Sequence, residues 1–131
     1  KILNHPIFSA FYRIEKICDI PKTAFYPSPK SNAVLVKITR LSDPLKTKNI
    51  QVFIRRYLYD HEQASVKNAL REVVIEIFNK FYQQELTKNQ ARRLVEEAGI
   101  NPELLEKKSF YSFEIYLEAA EKLEKKIKEF F

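Results

Sequence analysis

A proline-rich loop between two apolar runs places the strongest limit on how this chain can fold. The runs, 7–17 and 33–38, are rich in β-branched and aromatic residues and predict strands. The loop 20–31 between them contains three prolines: Pro21, Pro27 and Pro29. Each proline lacks a backbone donor and restricts the residue before it, so this segment cannot be a central strand. We therefore predict two antiparallel strands joined by a stiff loop, a ribbon that is marginal in water without more sheet.

The rest of the chain has a helical pattern. Residues 40–48 are typical of a linker, and apolar residues then recur at helical spacing in two segments that begin near Ile50 and Val66. These segments predict two amphipathic helices. With the preceding strands they predict an α+β fold whose second part is all-helical.

Three further helices are indicated by their end signals. Thr87 and Gln90 match a capping box, and Gly99 marks the end of that helix. Asn101 followed by proline is typical of the start of a short helix. A last helix is predicted from Ser109 or Ser112, with one apolar face that contains the following residues: Phe113, Tyr116, Leu117, Ala120, Leu123, Ile127 and Phe130.

The positive charge is unevenly distributed. Residues 1–70 carry 12 Lys/Arg and five Asp/Glu, whereas residues 71–131 carry 11 and 12, so the first part holds the whole formal excess of +6. This asymmetry favours a surface that faces a polyanion, although solvated surface lysines explain a charge of this size equally well.

Several function classes lack a sequence signal. No nucleophile triad, P-loop, dinucleotide-binding or zinc motif is present, so we expect no metal site, and Cys18 cannot form an intrachain disulfide. No apolar run is long enough to span a bilayer, and we expect a cytoplasmic protein. Two acids, Glu96 and Glu97, follow Arg92 and Arg93 by four residues, a spacing typical of exposed ion pairs.

The aromatic residue Phe25, which comes just before Pro27 and Pro29 in the loop, has two possible roles. Phe25 is either a lid over the core or a platform on which a nucleic acid base stacks. Local chemistry alone favours the lid.

The sequence resembles the ribosomal RNA adenine dimethylases along most of its length. Residues 25–38, FYPSPKSNAVLVKI, are similar to the family segment F-x-P-x-P-K-V-x-S-A-V-V. Residues 65–70, SVKNAL, resemble T-L-R-N-A-L, and residues 98–110, AGINPELLEKKSF, resemble G-I-x-P-x-x-R-x-E-x-L-S. All of these motifs come from the C-terminal half of the family.

This resemblance implies an organisation and a function. Residues 1–39 would be the last strands of a Rossmann-like methyltransferase domain, and 49–131 would be the small helical domain that docks on rRNA. The parent protein would use S-adenosylmethionine to dimethylate adjacent adenosines near the 3′ end of small-subunit rRNA, during ribosome biogenesis. Phe25 would stack on the flipped adenine, supported by Pro27 and Pro29.

The family's donor-binding and catalytic motifs are absent from this chain. It has no glycine-rich cofactor loop and no Asn-Leu/Pro-Pro-Tyr motif, so we expect no catalytic or cofactor-binding residue in it and no methyl transfer by the chain alone. The missing N-terminal methyltransferase segment is therefore an expected partner. The family's basic cluster before the T-L-R-N helix is replaced here by Glu62, Gln63 and Ala64.

Five basic residues are candidate RNA contacts: Lys30, Arg55, Arg56, Lys67 and Arg71. Lys30 stands beside the proposed base platform, whereas the others lie on the first two helices, where a solvated helix face is the competing interpretation. Two other functions stay open, namely a non-catalytic RNA- or ribosome-binding protein and, less favoured, a helix-turn-helix DNA binder.

Overall fold

A two-stranded ribbon precedes a bundle of helices along the chain. The computed structural model describes residues 8–109 and 113–130. Its elements are α1 (Phe8–Phe11), β1 (Tyr12–Ile20), β2 (Ala33–Arg40), α2 (Pro44–Thr47), α3 (Ile50–Asp60), α4 (Val66–Tyr82), α5 (Lys88–Glu97), α6 (Pro102–Leu105) and α7 (Phe113–Phe130). The predicted α+β composition is confirmed.

The two strands pair antiparallel, as predicted. The register runs from Tyr12 opposite Arg40 to Ile20 opposite Ala33, with a bulge between Lys16 and Cys18. No third strand joins this sheet within the described residues. The ribbon therefore leaves most of its side chains exposed on both faces.

The prediction that 7–17 is one strand is wrong for residues 8–11. Residues 8–11 form a helical turn, and β1 extends instead to Ile20. The reason is tertiary, because Ala10 in this turn is buried and α1 packs against α3. A β-branched and aromatic composition does not contain that information.

The predicted helices are confirmed, as are the end signals of α5 and the start signal of α6. The Thr87 hydroxyl accepts from the Gln90 amide at 3.2 Å, and the Gln90 side chain accepts from the Thr87 amide at 2.9 Å, which completes the capping box. Gly99 has a φ of +77°, the left-handed conformation that ends this helix at little steric cost. Asn101 caps the short α6, with Pro102 at its first position.

Two details differ from the prediction. The segment 40–48 is more ordered than a plain linker, because it contains α2, which Asp43 caps through the Leu45 amide at 3.0 Å. Leu117 and Phe130, both predicted on the apolar face of α7, are exposed. Of the two proposed starts of α7, Ser109 lies in a turn and Ser112 lies outside the described residues; the helix is described from Phe113.

Among the described residues, the hydrophobic core cluster lies in the helical part. Helices α3, α4, α5 and α7 share one buried cluster, whose largest members are Tyr116, Phe78, Ile54, Leu58 and Leu70. The ribbon contributes no buried residue to this cluster. Ribbon and bundle are therefore unequal in stability, with the hydrophobic burial concentrated in the bundle.

Candidate nucleic-acid interface

The loop between the strands presents two aromatic rings near its tip. A single 3₁₀ turn, Lys22–Ala24, leads into the loop, held by a hydrogen bond from the Ala24 amide to the Pro21 carbonyl at 3.0 Å. Phe25 follows in an extended conformation, and the bond from Tyr26 to Pro27 is cis. The loop is thus shaped by prolines and one local turn.

The rings differ in their exposure. Phe25 is 41% exposed and lies outside the buried cluster, whereas Tyr26 is fully exposed. Pro29 is half-buried, and Lys30 is exposed without an ion-pair partner in the part of the chain that the structure describes. A ring and a cation are therefore both open to solvent in one short loop.

Arg55 and Arg56 lie on α3 and contact α1, the helical turn that leads into the ribbon. Arg56 Nε donates to the Ala10 carbonyl at 2.7 Å, and its guanidinium carbon lies 5.0 Å from the centre of the Phe11 ring. Arg55 Nη1 donates to the Ser9 hydroxyl at 3.2 Å. Both side chains therefore fasten α1 to α3.

Burial changes the electrostatic environment of both guanidinium groups. Desolvation lowers the pKa of Arg55, opposed by the carboxylates of Glu121 and Glu124. Desolvation also lowers the pKa of Arg56, opposed mainly by Asp43. These arginines are partly removed from water by their protein contacts, a different environment from that of an open phosphate-binding side chain.

Lys67 and Arg71 on α4 differ from each other. Lys67 Nζ lies 3.2 Å from a carboxylate oxygen of Glu106, so an ion pair already engages this cation. Arg71 forms no ion pair or side-chain hydrogen bond with the described residues, and its Nε is buried without an acceptor. Of the four predicted helical contacts, Arg71 is the one with neither an ion pair nor a side-chain hydrogen bond to a described residue.

The expected ion pairs of α5 are wrong. Arg92 and Arg93 pair with neither Glu96 nor Glu97 within the described chain, and Glu97 instead lies 3.5 Å from Lys126 of α7. An i,i+4 spacing permits a pair on one helix, but a lysine on a packed neighbour competes for the acid. Sequence reasoning therefore missed that Arg92 and Arg93 keep unneutralised charges.

Tyr57 and Glu72 form a polar contact between α3 and α4. The Tyr57 hydroxyl donates to a Glu72 oxygen at 3.0 Å. Desolvation, together with this hydrogen bond, raises the pKa of Tyr57 well above its ordinary value. His61 stacks on the Tyr57 ring with centroids 4.0 Å apart, so it is a packing histidine in this structure.

Neither a metal centre nor a membrane span is found in the described ranges. No group of three or more His, Cys, Asp or Glu side chains within residues 8–109 and 113–130 is close enough to hold a metal ion. No helix in those ranges is long and apolar enough to cross a bilayer.

Sequence comparisons connect the chain to archaeal methyltransferases. The sequence matches no protein-family model. It is 32% identical to the probable ribosomal RNA small subunit methyltransferase A of Methanococcus maripaludis strain C7, over 52% of this chain and 32% of the relative. It is 34% identical to the protein of that name from Methanococcus vannielii, over 44% of this chain and 22% of the relative. The matched region thus spans about a third or less of these curated relatives.

Proposed function

We propose that this chain is part of an enzyme of the ribosomal RNA adenine dimethylase family, which dimethylates adjacent adenosines near the 3′ end of small-subunit rRNA. The observation that carries this proposal is the similarity to two Methanococcus proteins with ribosomal RNA small subunit methyltransferase names. In this proposal the ribbon completes a methyltransferase sheet, and the helical bundle docks on rRNA.

The ribbon supports the first role. Val34 and Leu35 are consecutive strand residues, so their side chains point to opposite faces, and both are exposed. Ile17 and Ile38 add further exposed apolar surface. Strands that are apolar on both faces are typical of sheets covered on both sides by helices. Such a sheet is the setting expected for the end of a Rossmann-like methyltransferase domain.

S-adenosylmethionine would supply the methyl group when bound to the rest of the parent enzyme. The sequence of this chain contains no glycine-rich donor loop and no Asn-Pro-Pro-Tyr-type motif. Its own residues would instead position the substrate: Phe25 would stack on the extruded adenine, and Lys30 would lie beside the phosphate of that nucleotide.

Expression of the complete reading frame that contains this chain tests the proposal. The product should transfer labelled methyl groups from S-adenosylmethionine to small ribosomal subunits, with reverse-transcription stops at two adjacent adenosines near the 3′ end. A product that binds the subunit without methylating it would be a non-catalytic RNA-binding protein instead.

Variants of the loop test the role of Phe25 in that same enzyme. Phe25→Ala should reduce the single-turnover rate by an amount equivalent to about 1–3 kcal/mol, the contribution of one stacked base, while Phe25→Trp keeps much of the activity. Tyr26→Ala is the matched control, since it removes the fully exposed neighbouring ring. A Phe25→Ala variant that melts much earlier but is fully active when folded would establish the lid interpretation.

A further inference from the structure

A groove between α4 and α5 contains three cations without a carboxylate partner in the described chain. Asn68, Arg71 and Glu72 line it from α4, and Lys88, Asn89 and Arg92 line it from α5, around a volume of about 330 Å³. None of the three basic side chains is in an ion pair with a described residue. The groove is lined by three positive charges and one negative charge.

The single carboxylate of the groove is already engaged. Glu72 accepts the hydrogen bond from the Tyr57 hydroxyl at 3.0 Å. Arg71, in contrast, has a buried Nε with no acceptor in the described residues. Arg71 also lines the groove, so an anion that enters it can form a charge-assisted contact with this guanidinium.

The first turn of α5 adds backbone donors. The capping box occupies the amides of Thr87 and Gln90. The amides of Lys88 and Asn89, between them, donate to no described residue. Free N–H groups at the start of a ten-residue helix favour an anion, and here they accompany the side-chain cations.

We propose that this groove binds backbone phosphates of RNA, an inference that rests on the proposed function. Guanidinium groups match the geometry of phosphate oxygens and form charge-assisted hydrogen bonds with them. A net charge of about +2 suits one or two phosphodiester groups, each of which carries a single negative charge. Contacts of this type position the protein on RNA without reading its sequence.

Salt-dependent binding of the 131-residue chain tests the groove. The probe is a labelled RNA hairpin with the 3′-end sequence of small-subunit rRNA, titrated between about 50 and 200 mM salt. Arg92→Gln should reduce the log–log salt slope by about 0.7–0.9 and the affinity near 0.1 M salt by about fivefold. Combining it with Arg71→Gln should reduce the affinity by about 25-fold, since two contacts are lost.

Arg93→Gln is the matched control. It removes the same charge from the next residue of α5, but Arg93 lines a different groove, beside Glu97 and Lys126. The slope should stay unchanged in this variant. If Arg71→Gln fails to fold, Lys88→Gln combined with Arg92→Gln keeps the test intact, because both of these residues are exposed.

Three results would overturn the inference, and they differ in what else they affect. Equal losses of RNA affinity in Arg92→Gln and Arg93→Gln would show that the overall positive charge attracts the RNA. The groove would then not be the binding site, although the chain would still bind RNA. Displacement of the RNA by polyglutamate at equal charge concentration would indicate an acidic protein as the occupant. If the unchanged chain binds no RNA, both the phosphate-binding role of the groove and the proposed docking role of the bundle are refuted.

Discussion

Arg56 allows a structural role to be separated from a nucleic-acid contact. Its Nε donates to the Ala10 carbonyl, and Ala10 is 1% exposed. Arg56→Ala therefore removes the donor to a carbonyl in a buried residue, which costs about 1–3 kcal/mol. Loss of the cation–π contact with Phe11 adds about 0.5–1 kcal/mol. We expect the junction between α1 and α3 to be destabilised by about 1.5–4 kcal/mol in total.

The effect should be local, so the measurement must be local too. The Leu41 amide donates to the Phe11 carbonyl at 2.9 Å and reports on the same junction. Hydrogen exchange at Leu41 should become about 13- to 900-fold faster, the equivalent of about 1.5–4 kcal/mol. Exchange in the core of α4 should change little, because the bundle has its own buried cluster.

The control and the refuting result follow from the same contacts. Arg93→Ala removes a charge from an exposed helix position and should leave Leu41 exchange unchanged. An Arg56→Ala variant with unchanged Leu41 exchange and a reduced salt slope for RNA would refute the structural role. Arg56 would then be a phosphate contact, as the sequence analysis predicted.

Three further predictions concern stability and the methyl donor. Tyr57→Phe should cost about 0.5–1.5 kcal/mol, because it removes the hydrogen bond to Glu72. Burial and this bond raise the pKa of Tyr57 above 10.0, so Tyr57 ionises at a lower pH in the unfolded chain than in the folded one. The free energy of unfolding should therefore fall as the pH rises above about 10. Urea titrations on both sides of that pH should show a smaller fall for Tyr57→Phe than for the unchanged chain. Thr87→Ala should lower the free energy of unfolding by about 1 kcal/mol, because Thr87 is the N-cap of α5. Gln90→Ala should lower it by less, and equal losses in the two variants would contradict that ranking. Isothermal titration should detect no binding of S-adenosylmethionine to the 131-residue chain, and stoichiometric micromolar binding would show that a donor site exists without the missing motifs.

The features predicted correctly from the sequence are those that neighbouring residues determine. The capping box at Thr87, the left-handed Gly99 and the Asn101–Pro102 helix start all depend on residues within a few positions of each other. The resemblance to the rRNA adenine dimethylase family, carried by short motifs, is confirmed by the Methanococcus similarities. The stacking role of Phe25 stays a prediction.

The features that were missed depend on contacts between distant residues. Arg56 and Ala10 are 46 positions apart, and no periodicity in α3 distinguishes an arginine that fastens α1 from one that faces solvent. The helical turn at 8–11 exists because it packs on α3, although its composition favours a strand. Arg93 lacks its expected partner Glu97, which pairs instead with Lys126 on another helix.

These distant contacts also indicate how the bundle influences the loop of the ribbon. Helix α1 continues directly into β1, and Arg55 and Arg56 fasten it to α3. The orientation of the ribbon, and with it of the loop that carries Phe25, therefore depends on two arginines that contact protein. If the parent enzyme positions its target adenine on this loop, Arg56→Ala should lower the single-turnover rate of methylation while the affinity for RNA stays the same. A phosphate contact would give the opposite pattern, with weaker binding and an unchanged rate at saturating RNA. Rate and affinity measured on this one variant thus separate a residue that orients the loop from a residue that binds the substrate.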